Sequence, residues 1–324
     1  MAIARRKLLQ LAGMGAAFTL ASDTVVAQSY PERPIRFIVP LPAGGAADII
    51  ARHMARWLER LGQPVVVENK PGAGTNVGVQ AAVNSAADGY TLLLIGTASA
   101  ISASLYERLP FNVLRDIAPV AGLVRFPLVM EVGQSLPVST VAEFIAYAKS
   151  NPGKINMASS GVGTAPHLAG EMFKAMTGIE MLHVPYRGEP PAITDLLAGQ
   201  VQVMFGNVSA SIQHLRSGAL RALAVTTAER VAVLPDVPTV GDTVPEYEAS
   251  GWFGVGVPKG TPTKIVERLN QTINAGLSDP DIRNRYADLG STPALFTPAE
   301  FGAHLSAETE KWARVVKFSG AKAQ

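Results

Sequence analysis

The sequence contains no cysteine. Disulfides, thiolate metal sites and thiol catalysis are therefore excluded, although an oxidising compartment would permit disulfides. Histidine is sparse, and His53, His167, His183, His214 and His304 form no His-Glu-x-x-His or other metal-ligand spacing. No metal and no cofactor is expected. No Gly-x-Ser-x-Gly elbow is present either, because Ser159 and Ser160 lack the preceding glycine. A surplus of one charge is also missing. The chain has 28 basic and 26 acidic residues, but Arg5, Arg6, Lys7 and Asp23 sit in the first 27 residues, and behind them the two signs balance. Charge thus gives no reason to expect a nucleic-acid or membrane-surface partner. Beyond the N-terminal segment no apolar run reaches transmembrane length.

What is present begins with Arg5-Arg6-Lys7, which leads into Leu8–Ala21, an apolar stretch too short to span a bilayer. A small-residue exit follows at Val25-Val26-Ala27. This is the pattern of a secretory signal over residues 1–27, cleaved near Ala27, and the paired arginines resemble the twin-arginine type. An exported chain meets no ATP, nicotinamide pool or nucleic acid, so most intracellular functions fall away. The roughly 300 residues that remain suggest two domains.

The mature chain alternates strand and helix signals. Ile35–Val39, Val65–Glu68 and Thr91–Ile95 read as strands, with a helix over Ala47–Leu61 closed by Gly62 and another from about Thr75. The pattern restarts after Pro137. Thr140 and Glu143 stand at capping-box spacing before a helix at Val141–Lys149. Lys154–Ala158, Glu180–Val184, Val201–Phe205 and Leu220–Val225 are further strands; Ala165–Met176, Ala192–Leu197 and Ser211–Ser217 are helices. Trp252–Val257 is a last strand before helices at Thr263–Leu277, Asp279–Leu289 and Pro298–Val316. Strands that are apolar on both faces and separated by helices predict parallel sheets covered on both sides, that is, two α/β units and a helical tail.

Four turns share one character: a strand ends, and glycine and small polar residues lead into a helix. They are Pro40–Ala46, Gly96–Ser99, Ser159–Thr164 and Pro185–Gly188. In open parallel sheets ligands bind beyond the carboxyl ends of the strands, where glycines admit a ligand to the backbone and free helix-start amides attract an anion. Backbone amides with the Ser159, Ser160 and Thr164 hydroxyls suit a carboxylate. Asp48 has two readings, a contact to a ligand amine or hydroxyl and a first-turn charge on the helix dipole. Arg187 could clamp a carboxylate or lie solvated in its loop. His167, early in its helix, fits packing better than chemistry, and Asn207 lines the cleft or caps its turn. Gly72-Ala73-Gly74-Thr75-Asn76-Val77-Gly78 nearly resembles a dinucleotide fingerprint, but its last glycine comes one residue late and it reads as a tight strand–helix turn.

These residues carry a family resemblance. The chain resembles the Bug-type extracytoplasmic solute receptors of tripartite tricarboxylate transporters. The matching segments are Tyr30–Arg36, Val39–Pro40 with Ala43–Asp48, Gly62–Gly74, Asp88–Leu93, His167–Glu171, His183–Gly188, Leu220–Thr226 and Leu234–Val240. The resemblance implies an α/β, two-lobed periplasmic-binding-protein fold of type II with two crossovers. Lobe I would hold residues 30–124 plus 252–324, and lobe II residues 125–251. It implies a periplasmic monomer without catalytic residues that holds a small organic carboxylate and meets membrane permease subunits. Carried over position by position, its pocket takes Leu41, Ala43, Gly44, Gly45 and Asp48, then Thr97 and Ala98, then Ser159, Ser160, Gly163, Thr164 and His167, with Asn207 beside them. Many relatives have an acid where this chain has Gly206, which disfavours an amine-bearing ligand.

Two rival readings stand beside it. One is a sensor that presents the same bound solute to a membrane signalling partner. The other is an exported serine hydrolase using Ser159 or Ser160 with His167, for which the sequence supplies no convincing third group to orient the base.

Overall fold

The computed structural model describes residues 30–323; the expected signal lies outside them. The first half follows the sequence pattern closely. Ile35–Val39 (β1) leads into Ala46–Leu58 (α1), whose buried Ile50, Met54 and Leu58 recur every fourth residue and face the sheet. Val65–Asn69 (β2), Asn76–Val83 (α2) and the fully buried Thr91–Gly96 (β3) follow. β1 pairs in parallel with both β2 and β3.

The sequence pattern assigns no element between Ser99 and Pro137, and here the structure departs from it most. The turn expected at Gly96–Ser99 has no residue of its own, since β3 ends at Gly96 and Thr97–Leu105 (α3) begins at once; Val113–Asp116 (α4) follows. Then comes a strand of 17 residues, Ile117–Gly133 (β4). Its two prolines argue against a central strand because each lacks a ladder amide. The structure places both where the ladder is interrupted. Pro119 lies at a register shift, and Pro127 is the last residue to pair before β4 changes partners.

The second half repeats the first: Val141–Ser150 (α5), Asn156–Ser159 (β5), Ala165–Thr177 (α6), Leu182–Pro185 (β6), Glu189–Leu197 (α7), Val203–Asn207 (β7), Val208–Arg216 (α8) and Leu220–Val225 (β8). β5 pairs in parallel with β6 and β7. The chain returns through Ser250–Pro258 (β9) to Thr263–Ser278 (α9), Pro280–Asp288 (α10), Thr292–Pro293 (β10) and Pro298–Ser319 (α11).

The strand order is β2-β1-β3-β9-β4-β7-β5-β6, with β8 and β10 also beside β4. Parallel pairing is confined to the two flanks. β9 runs antiparallel to β3 and β4, and β4 antiparallel to β7 and β8, so the expectation of parallel sheets throughout is corrected at the centre. The reason is β4 itself. It pairs with β9 from Ile117 to Pro127 and with β7 from Leu128 to Val132, and so carries the chain from one unit into the other as one extended segment. The return passes beside it. Thr226 donates its amide to the Leu128 carbonyl at 3.0 Å and accepts from the Ala249 amide at 2.9 Å. Its hydroxyl contacts both Leu128 and the Ala249 carbonyl.

In the second half, Phe144, Phe173, Phe205 and Tyr247 pack ring against ring at 5.5–6.4 Å between centroids. The Tyr247 hydroxyl donates to the Ala169 carbonyl of α6 at 2.9 Å. Burying such rings stabilises by roughly 1.5–3 kcal/mol each, and here it fixes α6 on the sheet, which sets the direction of that helix's first turn.

Candidate functional site

Each flank has the order in which the first strand of a unit lies between its two neighbours, β2-β1-β3 and β6-β5-β7. The connections after β1 and β3, and those after β5 and β7, therefore diverge to opposite faces and leave a crevice at the strands' carboxyl ends. Leu41, Ala43, Gly44 and Gly45 follow β1; Thr97 and Ala98 follow β3; Ser159, Ser160, Gly163 and Thr164 follow β5. Arg187 follows β6, and Asn207 ends β7. The loops of the two units meet. A Cβ built on Gly188 would lie 3.9 Å from Pro42, one on Gly163 3.0 Å from Leu105, and one on Gly74 2.9 Å from the Val162 carbonyl oxygen.

Asp48 organises the first loop. Its Oδ2 accepts from the Gly44 amide and from Arg52 Nε, both at 2.9 Å, and its Oδ1 accepts from Asn69 Nδ2 at 3.0 Å. The same Asn69 amide reaches the Leu41 carbonyl at 3.0 Å. Burial pushes the Asp48 carboxyl up, but Arg52, the Gly44 amide and Asn69 outweigh it and hold the group below its ordinary value. Asp48 thus positions the loop that carries Leu41 and Gly44.

Several hydroxyls expected to face a ligand are engaged by the protein instead. Thr97 Oγ1 accepts from the Trp252 amide at 3.0 Å. Thr164 Oγ1 donates to the Gly161 carbonyl at 2.7 Å. Ser159 is fully buried, and its Oγ lies 2.6 Å from Nε2 of His183, not of His167, and 3.2 Å from both the Gly161 amide and carbonyl. His167 stacks on His183 with centroids 3.9 Å apart and accepts the Gly163 amide at Nδ1, 3.2 Å. Burial first, then His183 and Lys174, push His167 down to about 3; burial and Lys174 push His183 down to about 4. Both rings are neutral at pH 7 and serve to brace the Ser159–Thr164 turn.

What the loops offer is backbone. The helices that start here, α1 at Gly45, α3 at Gly96, α6 at Thr164, α7 at Gly188 and α8 at Asn207, have no side-chain cap, although Pro166 removes one amide from the first turn of α6 and Pro190 and Pro191 remove two from that of α7. Ser160 is half-buried, Ala98 likewise, and Arg187 is exposed. Asn207 has a buried Oδ1 without a partner, while its amide donates to Glu189 Oε1 at 2.9 Å.

Behind Asn207 lies a pair of acids not anticipated from the sequence. Glu131, on β4, is fully buried and accepts from Ser211 Oγ at 2.6 Å. A Cβ built on Gly206 would stand 2.5 Å from Glu131 Oε1, so Glu131 fills the place beside that glycine. Burial, with a smaller push from Glu189, raises Glu131 to about 8; burial raises Glu189 to about 7 against its bond to Asn207. Burial without a basic partner favours the protonated form of both carboxyls, of Glu131 more than of Glu189. A neutral Glu131 offers an amine no counter-charge.

Sequence reasoning also missed Thr75 and Asn76, at the carboxyl side of β2. Thr75 Oγ1 and both ends of the Asn76 amide are buried and have no partner among the described residues. Their signal was the one that marked the other loops, glycines after a strand. A cavity of about 410 Å³ is lined by Arg125, Phe126, Arg230, Glu248, Ser250 and Thr292 among others, and it shares no residue with these loops. Among the described residues no cluster of three His, Asp or Glu could hold a metal ion, and no helix is long and apolar enough to cross a membrane.

Two α/β units joined by paired crossing segments, with helix starts facing each other across the crevice, define a two-lobed solute receptor of the periplasmic-binding type. A family model described as "Tripartite tricarboxylate transporter family receptor" matches residues 50–320, and the chain belongs to that family. It is 41% identical over 320 residues to protein BugT of Bordetella pertussis, covering 98% of each chain. The structure described as "R. palustris Rpa4515 with adipate" has a TM-score of 0.86 at 36% identity, over 90% of this chain and 99% of that one. MatC from Rhodopseudomonas palustris with bound malate has a TM-score of 0.83 at 29% identity, over 89% of this chain and 100% of that one.

Proposed function

We propose that this protein is a periplasmic receptor that captures a small organic carboxylate between its lobes and hands it to the permease subunits of a tripartite tricarboxylate transporter. The observation that carries the reading is the set of uncapped helix starts converging on one crevice. Free amides at the positive ends of helix dipoles bind an anion without any cationic side chain. The adipate and malate held by the two relatives are ligands of this chemistry.

Gly45 and Ala98 supply amides from lobe I, with Leu41, Ala43 and the Asp48-held Gly44 shaping that loop. Ser160 and Asn207 supply groups from lobe II, Gly163, held by His167, shapes their turn, and Arg187 closes over the mouth. Asp48, Thr97, Ser159, Thr164 and His167 hold these groups in place. The pairing of β4 supports the division into lobes, residues 30–124 plus 252–324 and residues 125–251, with the change of partners at Pro127 and Leu128 and the return at Ala249 and Ser250. Lobe closure about these segments buries the ligand. The chain works as a monomer, exported after cleavage near Ala27.

The hydrolase reading is disfavoured by the same geometry. The base that touches Ser159 is His183, whose proton affinity is far below the neutral range that general-base catalysis needs. The hydroxyl itself is fully buried.

Thermal shift of the mature protein against mono-, di- and tricarboxylates tests the proposal. A ligand at a hundredfold its Kd adds about 2.7 kcal/mol, so at least one carboxylate is expected to raise Tm by several degrees. No shift with any carboxylate would overturn it.

A further inference from the structure

Thr75 is held at φ 86°, in the left-handed region, where a β-branched side chain is strained. It is the residue before α2, the N-cap position, where a threonine hydroxyl ordinarily takes a helix amide from extended backbone. At ψ −12° it makes no such bond, so the strain removes the one local partner the hydroxyl would have had. The residue is only 4% exposed and its hydroxyl has no partner. Asn76, 8% exposed, leaves both its amide nitrogen and its oxygen unpaired, so exchanging the two atoms would change nothing. Strain and unpaired buried polar groups each destabilise the fold, and glycine at 75 would relieve both at that position.

The loop stands against the candidate site. Lys70 donates its amide to the Val39 carbonyl at 2.8 Å, and a Cβ on Gly78 would touch Pro40 at 2.6 Å, which sets Thr75 and Asn76 beside the loop after β1. Gly74 faces the Val162 carbonyl, at the opposing turn of lobe II, and the Tyr106 hydroxyl of lobe I.

We propose that Thr75 and Asn76 form a second polar subsite that reads an oxygen-bearing group away from the ligand's first carboxylate, either a second carboxylate or a hydroxyl. Together they present donors and acceptors but no charge, which suits such oxygens and gives an alkyl end nothing. This rests on the receptor function proposed above and adds to it the ligand's second functional group. It also explains why a strained threonine stands where glycine would fit: the geometry that denies the hydroxyl to the helix leaves it for the ligand.

The experiment measures affinity by calorimetry for two matched pairs, adipate against hexanoate and malate against succinate. The first pair differs in a second carboxylate and the second in a hydroxyl. The wild-type protein is expected to prefer the more oxygenated member of at least one pair. In Thr75→Gly that preference shrinks by roughly tenfold, the equivalent of one lost hydrogen bond, while Tm holds or rises because the strain is gone. Asn76→Ala is expected to shrink it too, and Thr75→Ser, which keeps the hydroxyl, to preserve it. A raised Tm with an unchanged preference in Thr75→Gly would show the position to be structural and overturn the inference, leaving the receptor function intact. Wild-type protein that binds carboxylates without preference within either pair would also overturn it. Protein that binds no carboxylate at all would overturn both.

Discussion

The helix starts of this molecule fall into two groups. Around the outside, Asn112 caps α4, Thr140 caps α5, Asp279 caps α10, and Thr297 caps α11 in a full capping box with Glu300. At the crevice α1, α2, α3, α6, α7 and α8 have no side-chain cap. α9, which follows Pro262 on the outer side, is the exception to the outer rule. The same chain that closes its peripheral ends by the ordinary sequence device withholds it where the lobes meet. Orphan amides cost stability unless something satisfies them, and the proposed receptor function gives those left at the crevice a ligand to satisfy them.

The comparison breaks most directly if a crevice start is given the outer treatment. Gly45 has extended backbone (φ −81°, ψ 171°), and its nearest neighbour for a Cβ is 3.8 Å away. Gly45→Asp therefore fits and would cap α1 with a negative charge at the anion site. Carboxylate affinity is expected to fall by roughly hundredfold or more, with Tm unchanged or higher. Calorimetry and thermal melting check the two halves of that statement; retained affinity would mean the α1 start is not in the site.

A second, smaller effect concerns α8, the crevice helix whose Asn207 amide is held by a buried acid, Glu189. Glu189 and Glu131 both have folded values above the ordinary 4.5, at about 7 and about 8. Raised carboxyls contribute stability that is present below the unfolded value and lost as pH rises through the folded ones. The urea midpoint is thus expected to drop from about pH 4.5 to about pH 8, and Glu131→Gln to flatten the upper part of the drop. A midpoint that climbs over this range would refute the protonated pair.

Least in size is the outer control. Thr297→Ala removes the α11 cap and is expected to cost about 1 kcal/mol in denaturant unfolding, with ligand affinity unchanged. Loss of affinity there would blur the division between the two groups.

Most strands and helices were legible from hydrophobic period and punctuation. The failures have specific causes. β4 was hidden by Pro119 and Pro127, which read as breakers because sequence cannot show that each falls where the ladder is already interrupted. α3, Thr97–Leu105, is small and buried on most sides, so it lacks the amphipathic stripe that reveals a helix. The site's loops were legible because glycine clusters mark strand ends, but the roles of their hydroxyls were not. Ser159 looked free until β6 brought His183 to it from 24 residues away. Glu131 sits in an apolar run with no local hint that Ser211 and Glu189 meet it across α7 and α8.

The passage between the lobes is two strands wide, and Thr226 laces one to the other. Such a ribbon resists shear, because sliding would tear the hydrogen bonds from Leu128 and Ala249 together, yet it flexes readily out of its own plane. The lobes are left with one soft coordinate. If the lobes close as proposed, solutes of different length would be met along that single path, and fit would depend on where the ribbon stops bending as well as on the groups lining the crevice.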